Sequence, residues 1–309
     1  MSLTSAQAAY LGRLATQLSD NRLAPYVRAE RGDLSRAIAR YYWNVELCRV
    51  YYPVLQALEV ALRNNIDRAV APAFPVARWR HVESWIDREP RVAVHPGSEG
   101  QIAKAKDAIL RRDPSTDGWF PDLGRGHGDL LAATSFGFWV GLLEGAYADP
   151  GTRGVVLWGS DPLAPRLEKA VFPGAAGVPM TSIRVTFNRI RQFRNRAFHH
   201  EPVWPKRATD PSPQARYDEI LAALRWLGGP QAGVPARLHA GREVLDEATQ
   251  LPAMHRRLLD TVDALLAAAP DKAAEKAARK EARKARKEAE RAARVSATAD
   301  NPDGPPSAG

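Results

Sequence analysis

The chain has 309 residues, 45% of them apolar, a formal net charge of +9 and one cysteine. Length and composition are those of an ordinary globular protein with a sizeable core, in one large domain or two. Cys48 alone excludes an internal disulfide framework and fits a reducing compartment, while the charge favours a polyanionic partner without demanding one.

Met1 is followed by Ser-Leu-Thr-Ser-Ala, with no basic region and no long apolar run, so no signal peptide is expected and the location expected is cytoplasmic. Helical periodicity recurs along the chain and alternating β-branched runs do not, which predicts an all-α fold. Helices are expected at about 5–18, 34–51, 54–71, 98–112, 127–148, 163–171, 180–200, 212–228 and 241–268. Asp33 is placed to cap the second, and Pro53 to divide it from the third. Tyr41, Tyr42, Trp43, Tyr51 and Tyr52 cluster here, with spacing that suits a core or dimer interface as well as base stacking. The third helix is apolar over most of its circumference: Val54, Leu55, Leu58, Val60, Leu62, Ile66 and Val70. Within it Glu59 and Arg63 stand at the spacing of an ion pair. They either tie helices together or serve a site, with Glu59 receiving Arg194 or orienting His199 and Arg63 touching phosphate. Pro/Gly-rich breaks near 72–97, 113–128, 149–162 and 172–179 make long connections, one of which suits a lid or partner surface. The most apolar stretch, 130–143, is short for a bilayer and reads as a buried central helix.

Residues 191–204, Arg-Gln-Phe-Arg-Asn-Arg-Ala-Phe-His-His-Glu-Pro-Val-Trp, carry the most chemistry. Ile183, Phe187, Ile190 and Ala197 form an apolar stripe, and Arg194 falls where that rhythm calls for leucine. A guanidinium cannot shed its charge, so this placement requires acceptors or an open cleft. His199 follows five residues on, with Asn195 one turn behind it, and Pro202 is expected to end the helix. Arg-x4-His supplies what RNA cleavage through the ribose 2′-hydroxyl requires of a protein. Histidine moves protons and arginine holds the extra charge of the phosphorane. The same run also suits a helix cap, with histidines on the helix dipole and Glu201 paired to an arginine. Zinc would need a third ligand beside His199 and His200, which diverge on adjacent helix positions. No cofactor is expected.

Three segments resemble a known family. Arg194-Asn195-x-x-x-His199-His200 is similar to the Arg-x4–6-His signature of the HEPN superfamily, in the form found in Abi-like (abortive infection) proteins. Leu58-Glu59-Val60-Ala61-Leu62-Arg63-Asn64-Asn65 resembles that family's early Leu-Glu-x-x-x-Arg-Asn helix. Ser135-Phe136-Gly137-Phe138-Trp139 resembles its Ser-Phe-Gly-x-Trp segment. The three occur in the family's order, across roughly residues 30 to 230. Glu-Pro-Val-Trp after the histidines departs from the family's usual ending. The resemblance implies a HEPN-like helical bundle, here with additional helices, and an active site shared between two subunits. It also implies metal-independent RNase activity that leaves a 2′,3′-cyclic phosphate, in phage defence or toxin-type growth control. Arg194, His199 and Asn195 become the catalytic set, with Glu59, Arg63, Asn64, Arg191 and His200 supporting or binding RNA. RNA, a second copy of the chain and an antitoxin or regulatory partner are the expected partners, with no membrane. The rival reading is a non-catalytic helical module that binds RNA or a protein.

The expected helical domain covers residues 1–270, with its core at about 30–230. Residues 271–296 hold ten Lys/Arg against five Asp/Glu, an excess of +5, in an Ala-rich run of high helix propensity with no apolar stripe. They are expected to form a basic helical extension, and the polar, proline-containing residues 297–309 a disordered tail.

Overall fold

The structure, a computed structural model, describes residues 3–73, 77–79, 82–87, 96–112, 119–121, 126–148, 157–159, 164–207, 209–229 and 241–268, and positions 281, 283 and 286. These residues are helical, with two short hairpins added. The chain divides into two units, Leu18–His255 and the pair of segments Met1–Gln17 and Arg256–Gly309. Apart from the three single positions, the basic extension and the tail lie outside the described residues.

In the smaller unit, α1 (Ser5–Leu18) starts with a reciprocal cap. The Thr4 hydroxyl accepts the Gln7 N–H at 3.2 Å and the Gln7 side chain accepts the Thr4 N–H at 2.9 Å. The Gln7 amide also donates to Asp263 at 2.8 Å.

The larger unit is organised along one helix. After α2 (Asp20–Ala29), which the proline-interrupted, polar sequence did not lead us to expect, α3 runs unbroken from Leu34 to Val70, 37 residues. Asp33 caps it, accepting the Arg36 N–H at 3.0 Å. Pro53 does not divide it, contrary to expectation. A proline removes one helical hydrogen bond, but Val50, Tyr51, Val54 and Leu55 are buried on both sides of it, so packing carries the helix through. Ile38, Trp43, Leu47, Leu58, Leu62 and Ile66 continue that buried face.

The hairpins occupy segments expected to be loop or helix end. Strands β1 (Ala77–Trp79) and β2 (Val82–Ser84) pair antiparallel, with Ala77 opposite Ser84. Helix α4 (Pro96–Ile109) stops before 112, because β3 (Leu110–Arg112) turns to pair with β4 (Trp119–Pro121). The helix expected at 127–148 is broken into α5 (His127–Ala133) and α6 (Phe136–Gly141). Local side chains compete with the backbone there. The Thr134 hydroxyl donates to the Leu131 carbonyl at 2.6 Å, and Ser135 caps α6 by accepting the Phe138 N–H at 3.3 Å. The stretch is still interior, since Leu130, Phe136, Phe138, Trp139 and Leu142 are buried.

Next come α7 (Ala164–Val171), α8 (Met180–Phe198) and α9 (Pro213–Leu227). A short 3-10 turn at Arg242–Leu245 precedes α10 (Glu247–Ala268), so the helix expected at 241–268 is also split. Asn65 fastens three of these helices together. Its buried amide donates to the carbonyls that end α7 and α9, Val171 and Leu227, at 2.8 Å each. The Gly174 N–H donates to Trp226 at 3.0 Å. A Cβ at Gly174 would collide with the Arg225 carbonyl, so this approach requires glycine. Among the described residues no helix is long and apolar enough to cross a membrane.

Candidate active site

Helix α8 buries Ile183, Thr186, Phe187, Ile190, Phe193 and Ala197. The place on the stripe that sequence periodicity assigned to Arg194 belongs to Phe193, whose ring meets Tyr51 edge-on at 4.8 Å. Arg194 flanks the stripe instead, its side chain 25% exposed. There its Nη2 donates to Glu59 of α3 at 3.3 Å, and its guanidinium lies 4.2 Å over the Phe198 ring. Its Nε–H is buried without a partner among the described residues. The cation is therefore held by a carboxylate and an aromatic face, with donor capacity unspent.

The neighbouring turns hold two more cations. Arg191 gives both Nε and Nη2 to Asn188, at 3.0 and 2.8 Å. A Cβ at Gly137 would sit 3.9 Å from the Arg191 Cδ and 3.4 Å from the Ser135 hydroxyl. The glycine of the Ser-Phe-Gly segment on α6 thus lies beside Arg191 of α8, at a distance where a methyl group would make ordinary contact. The Ser135 hydroxyl donates to Gln101 of α4 at 2.5 Å. Arg63, one turn from Glu59, donates to the Leu131 carbonyl at 3.2 Å and so is occupied at the end of α5. Glu59 holds Arg194 rather than Arg63. Asn64 is exposed, away from the α8 end, and lines a second cavity with Arg68 and Gly228.

The end of α8 is built differently from expectation. The helix stops at Phe198, before Pro202 can end it. The His200 N–H donates to Ala197 at 3.2 Å and the Glu201 N–H to Arg196 at 2.9 Å. This paired closure places His200 in the left-handed position that glycine usually fills, and its φ is +57°. His199 occupies the cap, exposed to solvent. Among the described residues neither its ring nor the Asn195 side chain has a hydrogen-bond partner, so Asn195 does not orient His199 here. Glu201 forms no ion pair among the described residues. Its carbonyl instead accepts from the buried Asn44 amide at 3.2 Å, and Asn44 Oδ1 accepts the Val203 N–H at 2.8 Å. Trp204 then packs against Tyr26 at 4.7 Å, with the Arg40 guanidinium 5.5 Å from its ring. The segment after the histidines is therefore an anchor.

A second constellation had no counterpart in the sequence reading. His127 Nε2 stands 2.8 Å from Asp67 Oδ1 and its Nδ1 2.8 Å from the Ser84 hydroxyl, while the Trp85 indole donates to Asp67 at 2.6 Å. Burial pushes the Asp67 carboxyl up, but hydrogen bonds from His127 and Trp85 outweigh it and hold the group below the usual carboxylate range. The order is that of a hydrolase relay. Ser84, however, is 2% exposed and its oxygen also accepts the Ile86 N–H at 3.3 Å. The trio ties α3, α5 and β2 together and offers solvent no nucleophile. No cluster of three or more metal-ligating side chains occurs among the described residues.

No protein-family model, curated protein or solved structure matches the chain.

Proposed function

We propose that this chain is a metal-independent endoribonuclease of the Abi-like HEPN type, acting in the cytoplasm as a homodimer in phage defence or growth control. One observation carries the reading. The helices that carry three segments far apart in sequence, α3, α6 and α8, pack against one another pairwise; Glu59 of α3 meets Arg194 of α8, and Gly137 of α6 lies beside Arg191 of α8. These are the segments on which the family resemblance rests.

The ribose 2′-hydroxyl attacks the adjacent phosphorus. The P–O5′ bond breaks, and the products are a 2′,3′-cyclic phosphate and a 5′-hydroxyl. Arg194 stabilises the phosphorane and His199 takes or gives the proton. A single His199 supplies one proton-transfer group, whereas the step needs an acid and a base, so a second copy related by a twofold axis provides the other. Purified protein should cut RNA in EDTA and leave cyclic phosphate ends, and His199→Ala should not cut. Dependence on added Mg²⁺ or Mn²⁺, or equal cutting of RNA with a 2′-O-methyl at the site, overturns the mechanism. That His199 has no orienting partner among the described residues favours the rival, a module that binds RNA without cutting it. Tight RNA binding with no cleavage under any condition would establish that one.

A further inference from the structure

We propose that the groove between α3 and the end of α8 is a nucleobase subsite, which takes the unpaired base beside the scissile phosphate of a single-stranded RNA. The inference rests on the endoribonuclease reading for its substrate, and it adds where a base sits. The groove encloses about 550 Å³, within the range of small-ligand pockets. Its walls include Tyr41, Val45, Cys48, Tyr52, Phe198 and His200.

Five large apolar side chains among the described residues are exposed, and three of them, Val45, Tyr52 and Phe198, line this one groove. Tyr52 is 50% and Phe198 37% exposed, yet their rings are stacked, with centroids 5.2 Å apart and planes inclined by 27°. The Arg194 guanidinium also lies against Phe198. A ring–ring–guanidinium assembly open to solvent is the kind of surface on which a planar base stacks. Cys48 adds a neutral wall, because burial pushes its thiol up to about 11.

Position gives the groove its role. His200 lines it from the left-handed turn beside His199. Glycine would satisfy that turn with less strain, so an imidazole there is consistent with a ring that contacts ligand. Arg49 on the wall, paired with Glu46 at 2.7 Å, and Arg194 beside Phe198, paired with Glu59 at 3.3 Å, bring two guanidinium groups to the groove.

The test uses the full chain carrying His199→Ala and short single-stranded RNAs with 2-aminopurine moved along the sequence. Fluorescence should be quenched on binding when the probe occupies one position next to the cut. Phe198→Ala and Tyr52→Ala should each weaken binding by about tenfold, the size of one base–aromatic stack, and remove the quench. Phe198→Trp should retain both. Removing the base at that position should weaken binding as the alanine variants do. Because both rings are exposed, melting temperatures should stay near that of the parent, which separates lost stacking from lost fold. Quench and affinity unchanged in both alanine variants overturn the inference, even if the chain with His199 cuts RNA. Alanine variants that turn a dimer into a monomer, with base-dependent quenching absent throughout, assign the groove to a second copy and also overturn it. Quenching lost on Phe198→Ala, in a protein that never cuts RNA, supports the base subsite while defeating the nuclease reading.

Discussion

Arg194 reaches across from α8 to Glu59 on α3 at 3.3 Å while its other face covers Phe198 at 4.2 Å. The cation proposed to hold the phosphorane is thus positioned before any substrate arrives, which saves the reorganisation a mobile side chain would need. Arg194→Ala should lower cleavage by about a hundredfold or more. The pair is partly solvent-exposed, so stability should change by under about 1 kcal/mol. Arg194→Lys should also be poor, because a point charge cannot serve carboxylate, ring and phosphate together. Glu59→Gln should lower kcat more than it raises KM, since it releases the arginine without removing it. Steady-state kinetics beside thermal melts would separate these effects. Full activity in Glu59→Gln would show that the pair only joins helices.

His199 and His200 should behave differently. His199→Ala should abolish cleavage and leave the fold intact. His200→Gly should leave stability unchanged or raise it by up to about 1 kcal/mol, because it relieves a left-handed residue, whereas His200→Val should destabilise. His200→Ala should reduce cleavage only severalfold. An essential His200 beside a dispensable His199 would shift the motif by one residue.

The two neighbouring asparagines should also separate. Asn65→Ala leaves the carbonyls of Val171 and Leu227 without their donor and should cost about 2–3 kcal/mol in urea unfolding. Asn64→Ala, exposed, should stay within about 0.5 kcal/mol. Equal costs would remove Asn65 from the role given to it here.

Acid should weaken the fold in two stages with one sign. Burial holds His255 below the ordinary histidine value, Arg36 adding to the effect while Asp33 and Glu30 oppose it. Its ring also stands 3.0 Å from the Ser35 hydroxyl. The unfolded chain therefore takes the proton more readily, and stability present above about pH 6.5 declines as pH falls below it. Asp67 is held below its ordinary value, so its contribution persists to about pH 4 and is lost as pH falls further. His255→Gln should flatten the first slope and Asp67→Asn the second, read from denaturant midpoints across pH. Stability that rises on acidification from pH 6.5 would contradict the His255 assignment, and stability that rises below about pH 4 the Asp67 one.

Deleting residues 271–309 removes the +5 excess of 271–296 and two acidic residues beyond it. RNA binding should weaken at low salt and its logarithmic salt dependence should become shallower. Cleavage of a saturating short RNA should change little. An unchanged slope would assign the extension to a protein partner instead.

The helices most readable in the sequence were those whose stripe depends on neighbours three and four residues away. The spans of α1, α8 and α9 and the Asp33 cap follow from such local pattern. Pro53 misled because its cost is local and its compensation, the buried residues around it, is tertiary. Phe193 and Arg194 are adjacent, and only the packing of α8 on Tyr51 decides which of them faces inward. Asn44 and Asn65 bond mainly to backbone of distant segments, a relationship that leaves no trace in spacing. The available signal was an amide set on an otherwise apolar helix face. Asp67, His127 and Ser84 are likewise joined across 60 and 43 residues.

The clasp of Asn44 on Glu201 and Val203 has a consequence for the length of the chain between α8 and its anchor. His199 and His200 lie on a bridge whose two abutments are fixed, one by the helix and the other by that amide and the Trp204 ring. Substitution within the bridge leaves its span intact, whereas adding or deleting one residue would swing His199 about the helix axis by about 100° or unseat the tryptophan. Among descendants of this sequence, insertions and deletions should therefore be tolerated least in these few residues.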